Sequence, residues 1–492
     1  MKFLAGVGVV LLAITSVVLI RTMTLQTKQV DVPTAERVKI NEASAIEHLS
    51  RAVRIKTISF DDPLRNDYRN LIALRDFIDT EFPLIHKNFK RTIINNYSLL
   101  FEWKGTDTKK KPVILTAHMD VVPVEPSEWK HAPFSGELIE GVIWGRGTLD
   151  DKGSLFSILE AAESLLKKGF TPERTIYFGF GHDEEAGTTG GIQGARNIAE
   201  YLKEKGIHAE SVLDEGGVIA DERLSFLKGK KLALIGVAEK GFVTLKITAS
   251  GQSGHSMMPP KDTAILLLAK AILALDKNKM ASSLNGVIGL TFDYLAPEMP
   301  FVEKMLFANR WLFSPLIQSV LEKDNFIAAM MHTTVAPTMI QGGVKEQSLP
   351  SSASVIINFR ILPGETSRDV INHVTRSMND QRVKVEPYGT VIHEPILLSG
   401  LHGKGYQEID RTLREIFPGV LVAPILITGR TDSLYYRDVA DNLYRFAPYL
   451  YSPGDDKRPH GTDEFIKVDS YLNMIQFYIR YIENSAGHVL SK

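Results

Sequence analysis

Five short segments of this 492-residue chain carry side chains able to hold a cation or move a proton. In ILTAHMDVVP, His118 and Asp120 stand two positions apart, a spacing that turns both to one face of a strand. A carboxylate so placed can accept the second ring N–H of the imidazole, which fixes the tautomer and strengthens the ring as a metal ligand. WGRGTLDDKGS sets Asp150 and Asp151 side by side among glycines. GFGHDEEAGTTGG gathers His182, Asp183, Glu184 and Glu185, where one glutamate could ligate a metal while its neighbour holds a proton. VLDEGG offers Asp214 and Glu215, and RPHGTDE, far downstream, offers His460. Singly, each has a plainer reading: a histidine in a loop, a capping turn before a helix, acidic residues bathed in water.

The surrounding elements change that reading. PVILTA (112–117), TIYFGF (175–180) and SVLDE (211–215) are apolar runs that end on polar residues, as buried strands do. Between the first two, SLFSILEAAESLLKKG (154–169) has helical periodicity, with Ser154 near its start and Gly169 as its stop. IQGARNIAEYLKEKG is a further helix that ends at Gly206. Strands alternating with helices predict an α/β domain with a mainly parallel central sheet, whose sites lie at the carboxyl ends of the strands. Three strands then deliver acidic or imidazole groups to one edge. Clustered carboxylates repel unless a cation is present, and a pair of divalent ions removes the conflict. His and carboxylate donors without thiolate suit catalytic zinc, with cobalt or manganese as substitutes. An Asp can bridge two such ions about 3.5–4 Å apart.

Composition narrows the remaining classes. Lys plus Arg total 57 and Asp plus Glu 58, a net charge of -1, so the basic excess of a nucleic-acid binder is missing. The chain has no cysteine, which excludes disulfides, thiolate metal sites and a Cys nucleophile. A G-x-S-x-G elbow, the mark of a serine hydrolase, is also missing. Length makes two domains the default expectation. Residues 3–20 are uncharged and apolar, at the short end of what spans a bilayer. Residues 1–21 read as an uncleaved signal anchor, with a cleaved signal peptide as the alternative, and 22–40 as a polar tether. The bulk of the chain is then expected outside the cytoplasm, although Lys2 and Arg21 flank the span almost equally. Near 240 the texture shifts to FVTLKITASG, DTAILLLAKAILALDK, SASVIINFRIL and SRDVINHVTRSMND, which predict a smaller α+β unit inserted at 243–388. Within it, 296–324 is crowded with Phe301, Met305, Phe307, Trp311, Phe313 and Leu316. That stretch reads as helical core or subunit contact, or as a lining for a greasy substrate or a membrane-facing surface.

The motifs LTAHMDVVP, GRGTLDDKGS, GHDEEAG, LDEGG and HGTDE, in this order, resemble the aminoacylase and carboxypeptidase S family of di-zinc metallopeptidases. The resemblance is strongest to the carboxypeptidase S branch, which includes N-fatty-acyl-amino-acid synthase/hydrolases. It implies a zinc-peptidase-like catalytic domain (41–242 and 389–484) with an inserted α+β lid/dimerisation domain, and a possible homodimer. It implies hydrolysis of an amide bond next to a C-terminal amino acid in a peptide or N-acyl amino acid, a reaction that can also run as synthesis. Two Zn2+ are implied, one on His118, Asp150 and Asp214 and the other on Asp150, Glu185 and His460, with Glu215 as the fallback for Asp214. By the same resemblance Glu184 is the general base, Asp120 orients His118, and His255 of SGHSMMPP is a lid histidine that can serve a neighbouring subunit's site. Arg360 and Asn325 are weaker candidates for gripping a substrate carboxylate, and the role of Arg430 is open. A non-catalytic binding protein on the same fold would need lost ligands, yet every expected ligand and Glu184 are present.

Overall fold

The computed structural model describes residues 2–221, 227 and 229–487. Its centre is a twisted sheet in which Ile176–Gly181, Val113–His118, Ala209–Asp214 and Ala440–Arg445 lie side by side and parallel. Ser98–Trp103 and Lys90–Ile94 extend one edge antiparallel. On the other side Lys231–Glu239 pairs with Leu421–Ile427 in parallel and with Ile219–Asp221 antiparallel. The first two of the predicted strands are fully buried along their length, as parallel strands covered on both faces should be.

The predicted helix at 154–169 runs from Lys152 to Lys167 and is almost wholly buried between the sheet and the C-terminal helix Val468–Ala486. Gly169 and Gly206 close their helices with φ of 73° and 69°, conformations that Gly adopts without a Cβ penalty.

The insert has a different shape from the one unit expected at 243–388. A four-stranded antiparallel sheet of Thr334–Gly342, Ser352–Ile361, Gly241–Ser250 and Val383–Pro387 forms its own core with the helices Ala264–Lys277 and Ser367–Met378. Burial alternates along Gly241–Ser250, so one face packs on the helices and the other is open. The helices between 287 and 331 do not join this core. They pack back on the large sheet, where Val287–Leu295 lies on Leu421–Ile427 and Thr291 Oγ1 donates to Pro424 O at 2.7 Å. Their apolar faces complete the large core rather than the small one.

The N-terminal helix runs from Lys2 to Met23. The polar stretch expected as a tether has no regular structure but lies fixed along the body. Gln29 donates to Tyr294 O and Val422 O at 3.1 and 3.0 Å and accepts from Val422 N and Arg414 at 2.9 and 2.8 Å. Ala35 N–H donates to Glu415 O, and Val38 N–H donates to the side-chain Oε1 of Gln476. Every hydrogen-bonding site of the Gln29 amide is used, which holds the segment down.

Candidate metal centre and active-site cleft

The register of the parallel strands sets His118 beside Gly181, so the segments after both strands begin at one edge of the sheet. His118 is the last residue of its strand and almost fully buried. Its Nε2 lies 2.9 Å from Asp150 Oδ1 and 3.4 Å from Glu215 Oε1. His460 Nε2 lies 3.2 Å from the other oxygen, Asp150 Oδ2, and 3.0 Å from Glu185 Oε1. Asp150 therefore turns one carboxylate oxygen to each imidazole. Donor atoms of His118, Asp150 and Glu215 converge on one point, and those of Asp150, Glu185 and His460 on another. A third convergence takes in His118, Glu184 and Glu185.

The arrangement brings together His118, Asp150, Glu184, Glu185 and His460, and it sets Asp214, for which Glu215 is the fallback, outside the converging groups. Asp214 Oδ1 accepts from Glu215 N at 2.9 Å and Oδ2 from Ser433 N at 2.6 Å. Its carboxylate is consumed by backbone, and Glu215, one residue on, is the acid that reaches His118. Asp120 Oδ1 and Oδ2 accept from the main chain of Glu184 and Glu185 at 3.1 and 2.9 Å, so Asp120 clamps the turn that presents both glutamates. Its backbone carbonyl lies 2.9 Å from His118 Nδ1 and its carboxylate 3.4 Å, which leaves Nε2 to face Asp150. Asp151 Oδ2 accepts from His118 N at 3.3 Å, and the Asp150–Asp151 peptide is cis. His182 and Asp183 turn elsewhere, to Ser98 Oγ and to the backbone of Gln193 and Gly194.

Glu464 is the residue that sequence reasoning passed over. It is fully buried, and its Oε1 accepts from the backbone of Gly147, Leu149 and Asp150 at 3.0, 2.7 and 3.2 Å. Its Oε2 pairs with Arg146, whose other guanidinium nitrogen donates to Gly461 O at 2.7 Å. Glu464 and Arg146 thus lace the loop bearing Asp150 to the turn bearing His460. The signal was present as opposite charges inside two apolar-flanked motifs, GRGTLDD and HGTDEF. His460 itself has φ of 60°, a left-handed backbone that a non-Gly residue adopts at a cost.

Arg430 also gains a place. It donates to Glu184 O at 2.8 Å and Gly187 O at 3.1 Å, and lies 3.4 Å from Glu184 Oε1. Arg360 stacks on Phe242 at 5.0 Å and is close enough to share the field of Glu184 and Arg430. Asn325 begins the helix Asn325–Met331, whose next residue, Phe326, lines the cleft. His255 is exposed on a two-residue strand of the insert and is not among the cleft-lining residues.

The electrostatics are those of acids short of a counter-ion. Burial, then Asp150, pushes Glu185 up to about 8, and burial raises Glu184 and Glu215 as well. Burial also opposes ionisation of Asp150, but His118 and His460 together hold it below the usual carboxylate range. Hydrogen bonds to Asp150 and Glu185 push His460 up to about 11. Oxygen and imidazole donors that converge without thiolate, with more acid than the imidazoles can balance, fit divalent cations. The cleft beside them encloses about 650 Å3 and is lined by Asp150, Glu184, Glu215, Arg430 and His460 together with the apolar Leu234, Phe326 and Ile425.

Residues 114–484 match peptidase family M20/M25/M40. The chain belongs to this family. It is 38% identical over 454 residues to a protein named probable carboxypeptidase S-like 2 of Dictyostelium discoideum, covering 92% of this chain and 86% of that one. It is 39% identical over 447 residues to a Danio rerio N-fatty-acyl-amino acid synthase/hydrolase, PM20D1.1, covering 89% and 85%. The fold is shared with an M20 family metallo-carboxypeptidase of Sulfolobus solfataricus, at TM-score 0.63 and 18% identity over 90% of this chain and 99% of that one. Human carnosine dipeptidase 1 has the same fold, at TM-score 0.61 and 16% identity, covering 90% and 96%. Family M20 enzymes are metallopeptidases, so the chain is a metal-dependent amide hydrolase, and peptide or acyl-amino acid substrates fit it.

Proposed function

We propose that the chain hydrolyses the amide bond beside a C-terminal amino acid, as a carboxypeptidase or N-acyl-amino-acid amidohydrolase, with two zinc ions. His118, Asp150 and Glu215 would hold one ion, and Asp150, Glu185 and His460 the other. The observation that carries this reading is Asp150, whose two oxygens face two different imidazoles at 2.9 and 3.2 Å. Ions bound there supply Lewis-acid polarisation of the amide carbonyl and acidify water.

The chain's own residues supply the rest. Glu184 faces the cleft beside both donor sets, where its carboxylate takes the proton of the attacking water and passes it to the leaving amine. Asp120 and Arg430 grip the backbone around Glu184 and keep it at that position. Arg360 lies within the field of Glu184 and is suited to a substrate carboxylate. His255 lies away from this cleft, in keeping with service to a second subunit of a homodimer.

The apolar part of the cleft lining, Leu234, Phe326 and Ile425, suits an apolar acyl group. The cavity behind these three residues holds only about 20 Å3, so a chain would have to lie in the cleft of about 650 Å3 itself. That lining supports a second reading, an N-fatty-acyl-amino-acid synthase/hydrolase that prefers long chains. Residues 6–23, of mean hydropathy 2.1, would anchor the enzyme in a membrane with its catalytic domain exported. The test is a hydrolysis panel of short-chain and long-chain N-acyl amino acids beside dipeptides, before and after chelation. Activity that survives full metal removal refutes the proposal, and equal rates across acyl lengths refute the long-chain reading.

A further inference from the structure

The helices Phe301–Ala308 and Arg310–Leu321 belong to neither the lid core nor the cleft, and they expose large apolar side chains. Leu312, Leu316 and Val320 recur every fourth residue and are 40%, 53% and 56% exposed, so they form one stripe. Trp311, Phe301 and Val302 add 56%, 55% and 59% exposed rings and branches. Scattered apolar residues are ordinary on a protein surface, but a stripe of this kind marks a contact.

What covers it is indicated by the element it touches. The turn between the two helices is seated on the end of the N-terminal helix. The buried amide of Asn309 donates to Val18 O and Thr22 Oγ1, both at 3.2 Å, and Arg21 Nε donates to Ala308 O at 3.2 Å. Val18 and Thr22 are buried by this seam, while only 11% of the apolar window Gly6–Met23 is covered by protein. That window of 18 residues is ~27 Å long, close to the hydrocarbon thickness of a bilayer. The seam lies in its last turns, within ~8 Å of one end. A bilayer spanned by this helix would therefore have Asn309 and the two short helices at its interface, where amphipathic helices lie and tryptophan is favoured. Thr27, hydrogen-bonded to Glu298 at 2.5 Å, and the Gln29 clamp leave no slack to lift the body away.

We propose that the 301–321 helices are a second membrane contact, their apolar stripe immersed in the interfacial layer of a phospholipid bilayer beside the N-terminal span. This rests on reading the N-terminal helix as a span. It makes the enzyme a body seated on the membrane at two points, not one swinging on a tether.

The chain has no cysteine, so a single spin label can be placed anywhere. Phe301→Cys, Leu316→Cys and, as a control on the catalytic domain, Lys109→Cys full-length proteins are labelled with a nitroxide. Each is reconstituted in phosphatidylcholine/phosphatidylglycerol vesicles, with dipeptide or N-acyl-amino-acid hydrolysis as the check on folding. Labels at 301 and 316 should collide with oxygen several-fold more than the control does, and with aqueous chromium oxalate several-fold less. Aqueous values at 301 and 316 in a protein that still floats with the vesicles would overturn the proposal and leave the anchor standing. Immobilised labels shielded from both reagents would assign the stripe to a protein partner and overturn it. Failure to float would remove the anchor reading and this proposal with it.

Discussion

Glu464→Gln tests whether the two ligand-bearing loops are held by one buried carboxylate. In the native chain Glu464 answers three backbone N–H groups with one oxygen and Arg146 with the other. The amide oxygen of glutamine can keep the three N–H bonds. Its NH2 must then face the guanidinium of Arg146, which is only 2% exposed. Breaking a buried ion pair by removing one partner costs about 3–5 kcal/mol. The same change loosens the loop carrying Asp150, and losses of this kind lower metal affinity about 10–100-fold. The assays are urea unfolding of the metal-free protein followed by tryptophan fluorescence, and zinc affinity by chelator competition. Arg146→Met combined with Glu464→Gln should recover part of the stability, because it removes the stranded charge, but not the metal affinity. A Glu464→Gln protein with the native unfolding midpoint and native zinc affinity would refute the reasoning.

Glu184→Gln should bind two ions normally and lose turnover by about 10²–10⁴-fold, and near-native kcat would remove Glu184 as the base. Glu215→Gln should lower the bound metal from two ions to one by elemental analysis, whereas Asp214→Asn should keep both and cost about 1–3 kcal/mol for its disturbed backbone bonds. The opposite pattern would restore Asp214 as the ligand. Metal uptake should release protons at pH 7, because the metal-free site holds His460 up at about 11 and Glu185 at about 8, and both must deprotonate to ligate. The sign is that zinc affinity rises from pH 6 to pH 8. Calorimetry in buffers of different ionisation heat measures the release, and uptake of protons would contradict it. The same two shifts make the folded metal-free chain bind more protons than the unfolded chain, at Glu185 from about pH 4.5 to 8 and at His460 from about pH 6.5 to 11, so its stability should fall as pH rises through those windows.

Three of the five motifs were legible because they sit at the ends of apolar runs, and parallel strands deliver the residues beyond their carboxyl ends to one edge. His118, Glu184, Glu185 and the Asp214–Glu215 pair are of this kind, whereas Asp150 and His460 lie on loops and were assigned as ligands only through the resemblance. The choice between Asp214 and Glu215 was not legible, because adjacent residues at a strand end differ only in which way the chain turns. Here the backbone N–H groups of Glu215 and Ser433 take Asp214 inward. Glu464 escaped because most of its partners are backbone amides, which carry no letter in a sequence. The course of the chain at 287–331 escaped for a related reason. Its helical pattern shows an apolar face but not the core that face joins, and the answer depends on a contact with Leu421–Ile427 far along the chain. The 22–40 segment has the composition of a tether, and hydrogen bonds from Thr27, Gln29, Ala35 and Val38 to residues far along the chain fix its course.

Glu185 and His460 meet in space but stand 275 positions apart in sequence. At about 5–20 residues per second, the ribosome needs on the order of 15–55 s to deliver the second after the first. By the end of that interval the nascent chain carries His118, Asp150, Glu184, Glu185 and Glu215 but still lacks the imidazole that completes the second donor set. The insert, by contrast, has its own core and is finished before His460 is made. The complete donor set exists only once His460 has been made. A metal held at the second position, as proposed above, can therefore be taken up only after the residues that fold the insert have been made, and not while the first residues of the site are being translated.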